Sequence, residues 1–278
     1  ARQCALSLFL LFSVSMVALA TDGMAMFFFL QLTGLCAAAF MTGQVNGVAN
    51  LSSSRKWLLF SMGSDLFCLM GLLSLWLKLE SFRFDQFVWE ELPPGITFAG
   101  FCFMTGCFGR SAQIPFLGLN NDVARVVDRS AIISMVCIVL PVGVVLLIRF
   151  IYVILAVENL QLCVGVVGSC TAILAGCVAV TRRRLTETIV WASSGMFGLM
   201  LVGLGPLEKT GIAGTMSLML QQILLVSSLI AAIRLPTRDS TVTERQGTDS
   251  GKPSETFVLP STFGFIGISI LALGFAGQ

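Results

Sequence analysis

Long apolar runs separated by short polar stretches dominate the chain, at roughly 3–20, 24–42, 57–77, 95–117, 130–148, 151–181, 187–205, 211–233 and 257–276. A helix needs about 20 residues to cross a bilayer core of about 30 Å, and each run is close to that length or beyond it. None shows the ten-residue alternation of a barrel strand. Lipid offers the backbone no hydrogen-bond partners, so each run must satisfy its own N–H and C=O groups, as a helix does. The pattern predicts an all-α fold, a polytopic transmembrane helical bundle of about nine spans that forms a single transmembrane domain over 1–278. The first run is followed almost at once by another, so it reads as a span and not as a cleaved leader. The sixth run is longer than a bilayer requires and is expected to extend partly outside it. The stretch 235–255 is polar, with Pro, Ser, Thr, Gly and charges of both signs, and reads as a flexible inner-side loop.

Composition supports the membrane reading. Hydrophobic residues make up 56% of the chain and charged ones 12%, about half of what a soluble domain carries. The net charge of +2 suggests neither nucleic acid nor an acidic substrate as a partner. Histidine is absent, which removes the usual neutral-pH acid/base group and the commonest metal ligand. The nine cysteines all fall inside apolar runs and form no CxxC pair. Cys163, Cys170 and Cys177 recur every seven residues, on roughly one helix face. They read as small apolar packing residues and not as metal ligands.

Alternating spans divide the basic residues unevenly. One side collects Arg2, Arg55, Lys56, Arg125, Arg129, Arg182, Arg183, Arg184, Arg234, Arg238, Arg245 and Lys252; the other has Lys78, Arg83, Arg149 and Lys209. Acidic residues show no such bias. This asymmetry is the positive-inside signature and puts the amino terminus on the inner side. Trp57, Trp76 and Trp191 fall near predicted span ends, as interfacial anchors do.

Two ionisable residues fall within spans, Asp65 and Arg110. Such groups are costly in lipid and by default mark an ion or substrate path. Asp65 could instead be hydrogen-bonded between helices. Arg110 opens Arg110-Ser111-Ala112-Gln113-Ile114-Pro115, where Pro115 removes a helical hydrogen bond and Gly106 and Gly109 loosen the preceding turn. A broken helix is therefore expected near 105–118, of the kind that lines polar cavities; a helix that simply ends near 109, with Arg110 reaching the interface, is the alternative. The sequence has no phosphate loop, no metal constellation and no nucleophile–base pair, so no catalytic centre, metal or cofactor is expected.

The run RSAQIPFLGLNNDVARVVDRSAIISMVCIVLPVGVVLLIRF over 110–150 resembles the central motif of chain 5 of NADH:ubiquinone oxidoreductase, the largest antiporter-like membrane subunit of respiratory complex I. That family reads Lys-Ser-Ala-Gln-x-Pro here, and the match runs without a gap through Ser111, Ala112, Gln113, Pro115, Asp122, Gly143, Arg149 and Phe150. Gly34-Leu35-Cys36 resembles a second family element, and Lys56 to Asp65 a third, with Ser64 replacing the family's glycine. Weaker similarity continues through Ala192-Ser193-Ser194 and Leu224-Leu225.

The resemblance implies proton-path positions at Asp65, Arg110, Asp122, Gln31 and Gln222. Several depart from the family. Its glutamate is Gln31 here, its central lysine is Arg110, its following histidine is Met135, and a later lysine falls at Gln222. In the family these groups form an acid–base chain across the membrane centre. Arginine keeps the charge but does not readily release a proton, and Gln31 cannot ionise.

The resemblance thus implies a membrane-arm subunit of complex I in a mitochondrial inner membrane, with the amino terminus on the matrix side and the usual proton route partly lost. Asp65 and Arg110 are expected to persist as a structural ion pair. Other membrane-arm subunits and membrane lipid are the implied partners, with a separate chain supplying the missing helices of a split or truncated chain 5. The resemblance implies no cofactor. The alternatives are a subunit of a multi-subunit cation/proton antiporter and a purely structural membrane assembly subunit.

Overall fold

The computed structural model describes residues 2–42, 48–83, 96–124, 129–155, 157–205 and 209–232. Among these the fold is helical. The first three helices are α1 (Arg2–Leu19), α2 (Gly23–Thr42) and α3 (Val48–Leu79), followed by α4 (Thr97–Arg110) and the short α5 (Leu119–Ala124). Then come α6 (Arg129–Ser134), α7 (Pro141–Arg149), α8 (Ile151–Leu155), α9 (Glu158–Thr181), α10 (Leu185–Leu204) and α11 (Lys209–Ala232). Six described helical segments are long and apolar enough to cross a membrane. The expected span at 257–276 and the polar loop at 235–255 lie outside the described residues.

The innermost element is the apolar segment Ala131–Arg149, made of α6, a π-helical stretch over Met135–Val139, and α7. Its residues are almost all buried, so other helices surround it where the remaining spans keep one face outward. Pro141 explains the π stretch. It has no N–H and its ring crowds the carbonyl four residues back, so the ladder re-forms with a wider step, from Leu140 N–H to the Met135 carbonyl at 3.0 Å.

Three sequence expectations change. The run 151–181 is two helices, because Val157 is extended (φ −131°, ψ 100°) and separates α8 from α9. Trp57 and Trp191 are buried at 1% and 5% exposure, so they pack in the interior; Trp76 alone of the three is exposed, stacked on Phe82. Cys36, Cys68, Cys102, Cys107 and Cys137 pack inside, whereas Cys163, Cys170 and Cys177 lie on the outward face of α9.

Contacts between chain-distant residues sort the ends of the helices. At one end, Gly23 N–H donates to the Phe82 carbonyl at 2.8 Å, the backbones of Asp22 and Arg83 form an isolated antiparallel β-bridge, and Arg149 donates to the Ala20 carbonyl at 3.0 Å. At the other, Lys56 lies 3.8 Å from Asp122 and Arg182 donates to Asn121 at 3.2 Å. Arg83 and Arg149 thus occupy the end opposite Lys56 and Arg182, as alternation of the spans requires.

Candidate functional site

The site is built where α4 stops. Its last turn closes on a left-handed residue, Ala112 at φ +51°. Gln113 N–H reaches back to the Phe108 carbonyl at 2.9 Å and Ala112 N–H to the Gly109 carbonyl at 3.4 Å, the paired bonds of a Schellman cap. The helix therefore ends at Arg110, five residues before Pro115, whose ring and missing N–H keep the same helix from resuming there. After a 3-10 turn over Phe116–Gly118, α5 continues the path. Gly106 and Gly109 have a different role from the one the sequence suggests. A Cβ on Gly109 would collide with Ser64 Oγ, and one on Gly106 would lie 2.8 Å from the Ser64 carbonyl. Their missing side chains let α4 lie directly against α3.

That approach brings Arg110 onto Asp65. Arg110 Nε donates to Asp65 Oδ1 at 2.7 Å and Nη2 donates to Oδ2 at 2.6 Å, a two-bond fork with both side chains at 0% exposure. Nη2 also donates to the Leu30 carbonyl at 2.5 Å, which ties the pair to α2. Gly34 completes the seat: a side chain there would meet Ser61 Oγ at 2.5 Å and both terminal guanidinium nitrogens at 3.3–3.4 Å. Taking each charge out of water is unfavourable by several kcal/mol, and the low-dielectric attraction plus the fork offsets it.

The free polar groups of the break are met by neutral side chains. Asn120 Nδ2 donates to the Ala112 carbonyl at 3.5 Å and to Ser194 Oγ at 2.9 Å. Ile114 N–H donates to Thr171 Oγ1 at 3.4 Å, and Gln113 Nε2 donates to the Ser111 carbonyl at 3.1 Å. Asn120, Thr171 and Ser194 were not singled out in the sequence as site residues, although each is a polar residue in an apolar setting.

The five candidate positions do not form one cluster. Asp65 and Arg110 are joined. Gln31 is half-buried beside Leu30, whose carbonyl accepts from Arg110, but no hydrogen bond among the described residues links its own side chain to the pair. Asp122 lies at the far end of α5, where it accepts from Ser53 Oγ at 3.2 Å and faces Lys56. Gln222 on α11 donates to the Ser193 carbonyl at 3.3 Å. Met135 opens the π stretch and is fully buried. The Arg110 guanidinium is thus held in the interior by two acceptors, the Asp65 carboxylate and the Leu30 carbonyl.

The family described as NADH:quinone oxidoreductase/Mrp antiporter, TM, matches residues 20–252. The chain belongs to this family. It is 29% identical over 179 residues to NADH-ubiquinone oxidoreductase chain 5 of Chlamydomonas reinhardtii, covering 64% of this chain and 31% of that one. It is 26% identical over 206 residues to NADH-quinone oxidoreductase subunit L of Escherichia coli (strain K12), covering 70% of this chain and 33% of that protein. The chain thus spans about a third of the length of these two relatives. Its fold matches a chain of a Mrp complex from Dietzia sp. with a TM-score of 0.72 at 21% identity, over 77% of this chain and 24% of that one. In this member of the NADH:quinone oxidoreductase/Mrp antiporter family, the end of α4 and the Asp65–Arg110 fork are where buried charge and an interrupted helix meet.

Proposed function

We propose that the chain is a membrane-arm subunit of a proton-pumping NADH:ubiquinone oxidoreductase. In this reading it is an antiporter-like module that keeps its architecture and has lost part of its proton-transfer machinery. One observation carries the second half: at the end of the broken helix stands a fully buried Arg110, forked onto Asp65. A lysine at that position could give up its proton when its carboxylate moved. Arg110 cannot. A proton on Asp65 would remove the negative charge from the fork, which leaves the Arg110 charge without a counter-charge in the interior. Gln31 and Gln222 are amides and carry no titratable proton. Asp122, with Lys56, sits near the bundle end and is the titratable candidate that remains outside the pair.

The mitochondrial inner membrane is the proposed location, with the amino terminus toward the matrix. The chain 5 relative from Chlamydomonas reinhardtii and the biased basic residues support it. Other membrane-arm subunits are the proposed neighbours, together with a separate chain matching parts of chain 5 that this sequence does not cover. Co-migration of this chain with NADH dehydrogenase activity on a native gel, with such a peptide set identified by mass spectrometry in the same band, is the expected result. Migration as a small species without flavin or iron–sulfur partners would overturn the assignment and favour a Mrp-type antiporter subunit, the reading that the Dietzia likeness supports.

The silent-module reading has its own test. In the assembled enzyme, the double variant Asp65→Leu/Arg110→Met is expected to leave the number of protons moved per NADH oxidised unchanged. A fall in that ratio with electron transfer intact would show that the pair takes part in pumping.

A further inference from the structure

The fork leaves one end of the guanidinium without an acceptor. Arg110 Nε and Nη2 are taken by Asp65 and the Leu30 carbonyl, whereas Nη1 is buried and has no hydrogen-bond partner among the described residues. A second unpaired group lies beside it. Ser61 Oγ, one helical turn before Asp65 on α3, is buried and also has no partner among the described residues. A hydroxyl inside a helix commonly donates to the carbonyl four residues back, as Ser64 does to Phe60 at 2.8 Å and Ser111 to Cys107 at 2.8 Å. Ser61 makes no such bond. Gly34 on α2 brings the two groups to one place: a Cβ there would lie 2.5 Å from Ser61 Oγ and 3.4 Å from Arg110 Nη1. The serine and the guanidinium thus flank the same glycine without bonding each other. A buried N–H of a charged group is among the most unfavourable to leave unmade.

The chemistry of the place narrows what it can bind. A cation would meet the charge of Arg110, and an anion would sit against Asp65, which shares the same guanidinium. The ligand is therefore neutral, small enough for a space beside a glycine among three helices, and able to accept from an N–H. We propose that a water molecule is bound beside Gly34, accepting from Arg110 Nη1 and hydrogen-bonded to Ser61 Oγ. Buried waters occupy such positions, joining polar groups that the chain itself leaves unsatisfied, and a bridging water is nearly as favourable as a direct bond. Ser61 is then a positioning residue: through the water it holds the nitrogen that the fork does not, and keeps the guanidinium seated on Asp65. The missing side chain of Gly34 provides the room. The proposal concerns the seat of Arg110 alone and is independent of whether the module pumps and of which assembly the chain joins.

The test is an electron cryo-microscopy map of the chain in its native assembly, at a resolution that shows ordered waters. A peak within hydrogen-bond reach of both Arg110 Nη1 and Ser61 Oγ is the expected result. A map in which Nη1 donates directly to Ser61, or to the Gln31 amide, with no such peak, would overturn the proposal. Two variants test the space and the role of the serine. Ser61→Ala removes one of the two partners of the water and is expected to lower the melting temperature of the solubilised protein by about 2–4 °C, the loss of one buried hydrogen bond. Ser61→Asn extends into the place of the water and carries its own acceptor for Nη1, so it is expected to displace the peak and to melt with the parent. An unchanged melting temperature for Ser61→Ala would overturn the positioning role of Ser61. A Ser61→Asn chain that melts below Ser61→Ala would show that the space is closed to a water, and would overturn the site itself.

Discussion

Replacing Asp65 with asparagine is expected to destabilise the protein by about 3–5 kcal/mol, the usual cost of removing one partner from a buried ion pair. Asparagine is nearly the same size, so the loss is electrostatic. Arg110 would keep its charge, at 0% exposure, with the Leu30 carbonyl as its remaining partner. The guanidinium is fully buried against α2 and α3 at the end of α4. Melting of the detergent-solubilised protein would show the effect as a drop on the order of 10 °C. The double variant Asp65→Leu/Arg110→Met is expected to recover most of that loss, since apolar residues of similar volume replace buried pairs at little net cost. A single variant as stable as the parent would mean that Arg110 has another counter-charge. A double variant no better than the single would mean that the fork determines the packing of α4 on α3 and does not merely fill it.

Gly143→Ala is expected to have the next largest effect, a loss of about 1–3 kcal/mol from overpacking. A Cβ at Gly143 would lie 2.6 Å from the Cys107 carbonyl oxygen and 2.6 Å from the Ser111 nitrogen. Both are backbone atoms in the last turn of α4, on either side of Arg110, so relief requires α4 or α7 to move as a body. Combining Gly143→Ala with the apolar double variant should therefore leave the loss intact, because the clash does not involve the ion pair. The check is the melting temperature of each variant and of the combination. A neutral Gly143→Ala would show that α4 and α7 are not held this closely in the membrane.

The element order was legible because each span has to be apolar over a length set by the bilayer, a constraint written residue by residue along the chain. Asp65 and Arg110 were legible for the complementary reason: a charge in such a segment stands out. The mistaken details share a cause. The break itself falls within the expected 105–118, but the device that sets it was not legible: Ala112 takes a left-handed conformation, and the carbonyls of Phe108 and Gly109 are capped from Gln113 and Ala112. Trp57 and Trp191 sit near span ends in the sequence yet are buried, since the distance of a residue from a span end says nothing about which way it faces. Asn120 was missed because its partners, Ala112 and Ser194, lie on separate elements.

Taken alone, the sequence determined that this chain is a helical membrane protein, which runs lie in the bilayer, which of the described basic residues share an end, and which two charges are out of place. These follow from transfer free energies and from the alternation of spans, and both are local properties of the chain. The tertiary structure alone decided that the two charges meet, that they do so as a fork closed by the Leu30 carbonyl, and that Asp122 and Gln222 lie apart from them. The reason is that such distances depend on how closely helices approach. Here that approach is set by the side chains that Gly34, Gly106, Gly109 and Gly143 lack, and a missing side chain acquires meaning only from the atoms of the neighbouring helix that occupy its place.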